Sequence, residues 1–181
     1  MVDSHEENRV DSNLPLVTTE EFRAAMGSVC SPVTIVTTTD DSQPYGTTVS
    51  AFGSLSLSPP MVTVALDKKS GLLAALYRSR QLGINLLAVG TEGLAQQFAT
   101  SGRGDFDSPE WTVARGVPRL AGGTFMGCSI DSFTDGGDHV VVIATVHTVD
   151  VADQPPLVYY RHAFGTYEAL QIESAPSKSR A

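Results

Sequence analysis

The sequence predicts one mainly β domain in which about seven strands and two or three short helices form a barrel. The chain has 181 residues, of which 41% are hydrophobic and 18% charged, so its size and composition suit a single globular domain. Its segments rich in Val, Ile and Thr follow one another with little more than turns between them. Repeated βαβ units therefore do not fit, and a barrel is favoured over a doubly wound sheet.

The first half of the chain opens with a helix signal. Thr18 and Glu21 have the spacing of a capping box, which predicts a helix that ends near Gly27. The other predicted elements of this half are strands over 32–39, 60–66 and 82–87, a turn over 40–44, an extended segment over 45–58, a helix capped by Ser70 and a short helix after Thr91.

The second half is predicted to be a long loop followed by strands. Residues 102–118, around Trp111, form the loop, which is too long for a mere connection and is interpreted as a lid or a partner surface. The predicted strands cover 125–133, 139–149, 157–160 and 166–172, and the first two pair as a hairpin through a turn over 134–137.

Charge and hydropathy exclude several classes of function. The net charge is −8, from 20 acidic and 12 basic residues, so binding to nucleic acid is not expected. The apolar runs are too short for a membrane helix, and no secretory signal is visible, so a cytoplasmic protein is expected. The polar ends, 1–13 and 174–181, are predicted to be mobile tails that flank a domain over 14–173.

Several familiar chemical motifs are missing from the sequence. Cys30 and Cys128 have no ligand-like neighbours and are predicted to be reduced, buried packing residues. The four histidines are too scattered for a zinc motif, and no metal is expected. The sequence contains no GxGxxG, no P-loop and no GxSxG, so a Rossmann site, a P-loop site and a serine nucleophile are all disfavoured.

Residues 46–58 carry the strongest signal for binding. With a period of two, one face of this segment presents hydroxyls and the other packs on the core. The hydroxyl face has Thr48, Ser50, Ser54, Ser56 and Ser58, and the core face has Val49, Ala51, Leu55 and Leu57. Such a row of hydroxyls suits a phosphate or the polar edge of a ring, although a strand whose polar face meets only solvent has the same pattern.

His139 follows Gly136, Gly137 and Asp138 at the predicted hairpin tip. The glycines and the aspartate are explained by the turn itself. A histidine at the mouth of a strand can donate a hydrogen bond to a bound amide or phosphate. The alternative is a turn histidine that bonds to backbone or water.

Taken in order along the chain, these segments resemble the flavin reductase-like family. The matching segments are 22–27 with 31–38, the hydroxyl-rich 46–60, 84–87, 97–99, the Gly-Asp-His of 137–139 and the Pro-Leu-Val-Tyr-Tyr of 156–160. The resemblance covers residues 19–170 and is specific because six weak motifs occur in register. Within this family, the sequence is similar above all to the short-chain reductase components of two-component flavin monooxygenases.

The resemblance implies a split β-barrel homodimer that binds FAD or FMN and uses NADH, with NADPH possible. It places Ser31, Pro32 and Val33 along the isoalloxazine ring, and Thr47, Thr48, Val49 and Ser50 at the polar edge of that ring. It places Ser54 and Ser56 at the flavin phosphate, with Arg80, Gln81 and Asn85 nearby, and Phe98 packed at the flavin site.

The resemblance also assigns His139 and Tyr167 to the nicotinamide nucleotide, with His139 as the residue that matters most for catalysis. The sequence departs from the family pattern at two places. Pro32 stands where glycine is common, and residues 161–164 lengthen the segment before Tyr167.

The implied function is an NAD(P)H:flavin oxidoreductase. Hydride passes from the nicotinamide to the flavin, and the reduced flavin leaves for a separate oxygenase. One alternative is an electron-transfer module that keeps its flavin, and another is a split-barrel domain that binds no flavin.

Overall fold

The computed structural model describes residues 14–100 and 104–170, which form three short helices and twelve strands. The helices are α1 (Thr19–Met26), α2 (Gly71–Ser79) and α3 (Glu92–Thr100). The strands are β1 (Ser31–Pro32), β2 (Thr34–Asp40), β3 (Gln43–Val49), β4 (Phe52–Leu57), β5 (Pro60–Asp67), β6 (Gln81–Leu86), β7 (Trp111–Ala114), β8 (Val117–Leu120), β9 (Thr124–Gly136), β10 (His139–Asp150), β11 (Leu157–Tyr160) and β12 (Ala163–Thr166). The prediction of a mainly β chain with short helices is confirmed.

Seven strands form one antiparallel sheet in the order β3-β2-β6-β9-β10-β5-β4. Strands β3 and β4 follow one another in the chain but lie at opposite edges of this sheet. The chain therefore crosses from one edge to the other at Ser50 and Ala51. A smaller sheet has the order β1-β11-β12, and β7 and β8 form a separate hairpin.

Helix α2 packs against the inner face of the large sheet. Leu72, Leu73 and Leu76 of α2 belong to one buried apolar cluster with residues from both ends of the sheet. Those sheet residues include Val36, Val49, Val62, Val64, Ile84 and Val142. Each buried aliphatic side chain contributes about 1.5–3 kcal/mol, so this cluster supplies much of the driving force for folding.

Helix α3 packs on the outer face of the sheet. Ile35, next to the inward-facing Val36, belongs to a second cluster with Phe98 of α3. Gly46 allows this packing, since a Cβ at that position would lie 2.8 Å from the Phe98 ring. Leu87, Leu120 and Leu157 complete the outer cluster from three further segments.

The predicted loop over 102–118 is wrong for its second half. Strands β7 and β8 form a hairpin there, joined by Arg115 and Gly116 with φ of 50° and 79°. The Arg-Gly pair makes the tight left-handed turn that two-residue hairpins prefer. Only Gly116 marks this turn in the sequence, and residues 101–103 lie outside the described part of the chain.

The predicted core face of 46–58 is correct at Val49, which is buried, and wrong at Ala51, Leu55 and Leu57. The extended segment breaks at Ser50 and Ala51, and a bulge separates Ser54 from Ser56, so the period of two does not continue. Leu55 is 50% exposed and Leu57 is 91% exposed, instead of being buried.

The last predicted strand, 166–172, begins too late. Strand β12 covers Ala163–Thr166, and it pairs with β11 through a turn of Arg161 and His162. The turn of the long hairpin is also shorter than predicted, because β9 and β10 continue to Gly136 and His139. Residues 171–172 lie outside the described chain.

The capping box of α1 is confirmed. The Thr18 hydroxyl accepts from the Glu21 amide at 3.2 Å, and the Glu21 carboxylate accepts from the Thr18 amide at 2.8 Å. This hydrogen bonding lowers the pKa of Glu21 below its usual range. The tails predicted over 1–13 and 174–181 fall outside the described residues, and the described helices include none that is long and apolar enough to span a membrane.

Candidate functional site

Three cavities meet at Ser50, where the chain crosses from β3 to β4. We name each after one of its lining residues. The His139 cavity has about 230 Å³, the His162 cavity about 390 Å³ and the Pro32 cavity about 440 Å³. Because Ser50 lines all three, the cavities adjoin one another and are treated as one candidate site around the break in the extended segment.

The His139 cavity brings together residues that are distant in the sequence. It is lined by Thr47, Thr48, Val49, Ser50, Ala51, Ala65, Leu66, Asp67, Ser70 and His139. His139 reaches it because β10 pairs with β5, which sets His139 opposite Asp67. The Lys68 amide also donates to the Asp138 carbonyl at 3.0 Å, which ties the hairpin tip to the loop before α2.

The His139 ring is oriented by its neighbour in the chain. Its Nδ1 lies 2.8 Å from Oδ1 of Asp138, and this hydrogen bond from His139 lowers the pKa of the Asp138 carboxyl. An ionised carboxylate only accepts hydrogen bonds, so Nδ1 of His139 carries the proton in this pair. The second ring nitrogen, Nε2, is then available to a ligand.

The N-terminus of α2 opens onto the same cavity. Ser70 is the N-cap residue, yet its side chain makes no capping hydrogen bond. The hydroxyl of Ser70 and the first amides of α2 are thus at hand for a ligand in the His139 cavity. Such helix N-termini bind phosphate readily.

The other two cavities extend the site to further segments of the chain. The Pro32 cavity is lined by Val29, Cys30, Ser31, Pro32, Ser50, Ala51, Phe52, Gly53, Thr63, Ala65 and Val141. The His162 cavity is lined by Val33, Thr48, Ser50, Ala95, Gln96, Ala99, Tyr159, His162 and Phe164. In both, apolar surface exceeds polar surface, which suits a flat ring better than a charged group.

The threonine hydroxyls of β3 also hold α3 in place. Thr48 donates to the Ala95 carbonyl at 2.7 Å, and Thr47 donates to the Phe98 carbonyl at 3.3 Å. A ligand can therefore use these oxygens as acceptors, while their protons stabilise the helix that forms one wall of the His162 cavity. Ser50 is exposed, and its hydroxyl has no such bond.

The structure thus gathers eight of the predicted site residues at one place. They are Ser31, Pro32, Val33, Thr47, Thr48, Val49, Ser50 and His139. Three others are exposed or half-exposed and line none of the three cavities. Ser54 and Ser56 lie on β4, where the Ser56 hydroxyl accepts from the Ser58 amide at 3.3 Å, and Tyr167 follows β12 and is 68% exposed.

The remaining four predicted residues make contacts within the protein and line none of the three cavities. Asn85 is 1% exposed, donates to the Ile35 carbonyl at 3.1 Å and accepts from the Leu120 amide at 2.8 Å. Phe98 is fully buried and packs on Phe106 and Trp111.

Arg80 and Gln81 lie at the opposite end of α2 from Ser70. The Arg80 guanidinium stacks 5.1 Å from the Phe133 ring and donates to the Asp131 carbonyl. Gln81 lines a separate cavity of about 230 Å³ with Arg115, Val117, Gly127, Cys128, Ser129 and His147.

Sequence reasoning missed several lining residues. Ser70 was predicted only as a helix cap, although a serine between a strand and a helix is also a signal for phosphate binding. Tyr159 and Gln96 gave no such signal, since they lie within a strand and a helix. His162 gave none because the Arg161–His162 turn contains no glycine or asparagine that would reveal its position.

The prediction for the cysteines is half wrong. Cys128 is 7% exposed, and burial raises the pKa of its thiol to about 12, which keeps it protonated and unreactive. Cys30 is exposed and lines the Pro32 cavity. Residues 14–100 and 104–170 contain no cluster of His, Cys, Asp and Glu that could hold a metal ion.

Comparison with known proteins matches most of the chain to one domain family. Residues 26–168 match the model of the flavin reductase like domain. The chain is 38% identical over 148 residues to the reductase component of a 4-nitrophenol 4-monooxygenase/4-nitrocatechol 2-monooxygenase from Rhodococcus opacus, with 81% of this chain and 80% of the relative covered.

Two further relatives are described by their cofactors. An NADH-dependent flavin reductase from a Rhodococcus species is 32% identical over 160 residues, which are 86% of this chain and 90% of the relative. The solved structure of an NADH:FAD oxidoreductase from Streptomyces globisporus, in complex with NAD and FAD fragments, has a TM-score of 0.77 and 26% identity, and covers 91% of this chain and 99% of its own.

Proposed function

The chain belongs to the flavin reductase-like domain family, and we propose that it is an NAD(P)H:flavin oxidoreductase that supplies reduced FAD or FMN to a separate oxygenase. The observation that carries this proposal is the convergence on Ser50. Three cavities meet there, and eight residues assigned to the cofactors from the sequence line them. The candidate site is both apolar enough for a flat ring and polar enough, at the His139 cavity, for a phosphate.

The chemistry of the cavity walls supports a position for the flavin. Ser31, Pro32 and Val33 would contact its ring, and Thr47, Thr48, Val49 and Ser50 would hold the polar edge of that ring. We place its phosphate at the N-terminus of α2, beside Ser70, rather than at Ser54 and Ser56. Ser70 lines the His139 cavity, whereas the β4 serines line none of the three cavities.

His139 is the residue that we assign to the nicotinamide nucleotide. Its Nδ1 is held by Asp138, so the proposed contact uses Nε2, which can accept a hydrogen bond from a carboxamide. A bound flavin would supply the acceptor for the hydride of the reduced nicotinamide, and its release would then deliver the two electrons to the oxygenase. Hydride transfer needs orientation more than proton transfer, so the task of these residues is to bind and to align.

The composition of the site also supports release of the flavin. Among residues 14–100 and 104–170, neither arginine nor lysine lines any of the three cavities. Hydroxyls and backbone amides bind a phosphate less strongly than a bidentate guanidinium does. A site without such a clamp suits a reductase whose reduced product must leave for another protein, for example an oxygenase that activates O₂.

The two cysteines support a location in the cytoplasm. Cys30 and Cys128 are both free, and Cys30 is exposed. Exposed free thiols persist in reducing compartments, where NADH is also available. These points support the cytoplasm as the site of action.

We also propose that the large sheet closes into a split barrel and that the chain forms a homodimer. Val49 of the edge strand β3 and Val62 of β5, which lies next to the other edge, share one core cluster, and this supports closure around α2. Helix α1 buries none of its residues, and Phe22 and Met26 are 57% and 49% exposed. A second copy of the chain would cover this apolar surface.

The reductase activity is tested by NADH oxidation, followed at 340 nm, with riboflavin, FMN and FAD added in turn. The purified protein is expected to be colourless and to oxidise NADH only when a flavin is present, because the site binds flavin weakly enough to release it. A yellow protein that reacts with neither NADH nor NADPH would instead indicate an electron-transfer module. A protein that binds no flavin in titration would contradict both functions.

The phosphate position is tested by comparing Ser70→Ala with the double variant Ser54→Ala/Ser56→Ala. Loss of a hydrogen bond to a charged phosphate costs about 1.5–3 kcal/mol, so Ser70→Ala is expected to raise the Kd for FMN roughly tenfold or more. Riboflavin, which has no phosphate, is the control ligand and should bind equally to both variants and to the wild type. A weaker FMN affinity in the double variant, with Ser70→Ala unchanged, would move the phosphate to β4.

The role of His139 is tested with His139→Ala, and His147→Ala is the matched control. His139→Ala is expected to raise the KM for NADH, lower kcat, or both, by roughly tenfold for a loss of 1.4 kcal/mol. Flavin affinity should stay nearly constant, since the contact is with the other cofactor. His147 lines none of the three cavities, and its replacement should leave both parameters unchanged. Loss of flavin binding with an unchanged KM would show that His139 serves the flavin.

The dimer is tested by light scattering, which should give about twice the mass of the 19.2 kDa chain. Phe22→Glu places a charge on the exposed face of α1 and is expected to produce a monomer. Val113→Glu changes an equally apolar and exposed residue on the β7–β8 hairpin and should leave the dimer intact. A wild-type monomer at micromolar concentration would overturn the proposed assembly.

A further inference from the structure

The turn between β11 and β12 adopts a conformation that its residues disfavour. Arg161 and His162 have φ of 48° and 64°, which lie in the left-handed region. Glycine, asparagine or aspartate usually occupies the two positions of such a hairpin turn. Histidine enters the left-handed region more often than most residues do, but at a steric cost that glycine does not have. The turn is closed by the pairing of Tyr160 with Ala163.

This conformation places His162 in the wall of the candidate site. The lining of the His162 cavity includes Val33, Thr48 and Ser50, which we have assigned to the flavin ring. The remaining walls come from Ala95, Gln96, Ala99, Tyr159 and Phe164. Gln96, Tyr159 and His162 can each bond to a polar ring atom, and His162 is the one of the three that lies in the left-handed turn. The Arg161 amide donates to the Gly27 carbonyl at 3.0 Å, which anchors the turn against the end of α1.

A second turn in the same chain has the same geometry but lies elsewhere. Asp41 and Ser42 join β2 to β3 with φ of 47° and 64°. Ser42 lines none of the three cavities that meet at Ser50. Left-handed strain alone therefore does not indicate function, and what distinguishes His162 is the cavity that it lines.

We infer that His162 is a binding residue for the isoalloxazine ring, held in place by a turn that would be more stable with glycine. Observed strain at a site of this kind is evidence for a functional constraint, since relief of the strain would otherwise be favoured. The inference rests on the proposed flavin site and extends it to the β11–β12 turn. Because the contact is with the ring, it should apply equally to riboflavin, FMN and FAD.

The test compares His162→Gly with Ser42→Gly in two measurements, thermal unfolding of the protein without flavin and equilibrium binding of riboflavin, FMN and FAD. Both substitutions put glycine at a position in the left-handed region, which removes the steric strain there, and both are expected to keep or raise the Tm. Only His162→Gly should raise the Kd, by about tenfold for each of the three flavins. Weaker binding by a protein that is at least as stable cannot be attributed to unfolding.

His162→Asn serves as a second variant, since asparagine tolerates the left-handed region without adding the flexibility of glycine. It is expected to weaken flavin binding as His162→Gly does. The inference is overturned if the Kd values of the histidine variants stay within twofold of wild type, or if only FAD is affected, which would assign His162 to the adenine. A change confined to the KM for NADH would likewise overturn it. Failure of the wild type to bind riboflavin would instead reject the flavin site itself.

Discussion

The packing of α2 inside the large sheet determines where the candidate site can form. Leu72, Leu73 and Leu76 bury the helix against inward-facing residues of several strands, so the helix axis cannot shift without exposing them. The N-terminus of α2 is thereby fixed beside the end of β5, and β5 pairs with the strand that carries His139. Ser70 and His139, which are 69 positions apart in the sequence, meet in one cavity because of this packing.

Local signals in the sequence were enough for much of the fold and part of the site. The capping box of Thr18 and Glu21 is complete within four residues, so neighbouring side chains alone decide it. His139 and the Thr47–Ser50 segment line the same cavity. Only the resemblance to a family indicated that both belong to one site, since no local sequence pattern links them. Prediction failed where the outcome depends on distant packing. Leu57 has the alternation of a core residue and is nonetheless 91% exposed.

Turns could be predicted only where the sequence contains a residue that favours a turn. Gly137 marked the tip of the long hairpin, because glycine has a physical reason to be there. The turn of Arg161 and His162 has no such marker, so the last strand was predicted three residues too late and His162 was missed as a lining residue. Asn85 shows why polar residues are hard to assign from sequence. Its amide could serve a ligand equally well, and only the structure reveals that Ile35 and Leu120 occupy it.

The scarcity of cations in the site has a consequence for the rate of turnover. At a fixed association rate, each tenfold gain in affinity slows dissociation tenfold, and it corresponds to about 1.4 kcal/mol. A charged hydrogen bond to phosphate contributes about 1.5–3 kcal/mol, so a single added arginine would slow flavin release at least tenfold. The described residues that line the cavities offer hydroxyls and imidazoles to a phosphate, so the expected affinity lies in the range where a product can leave. The proposed reaction requires such weak binding, because in it the reduced flavin acts only after it has left this protein.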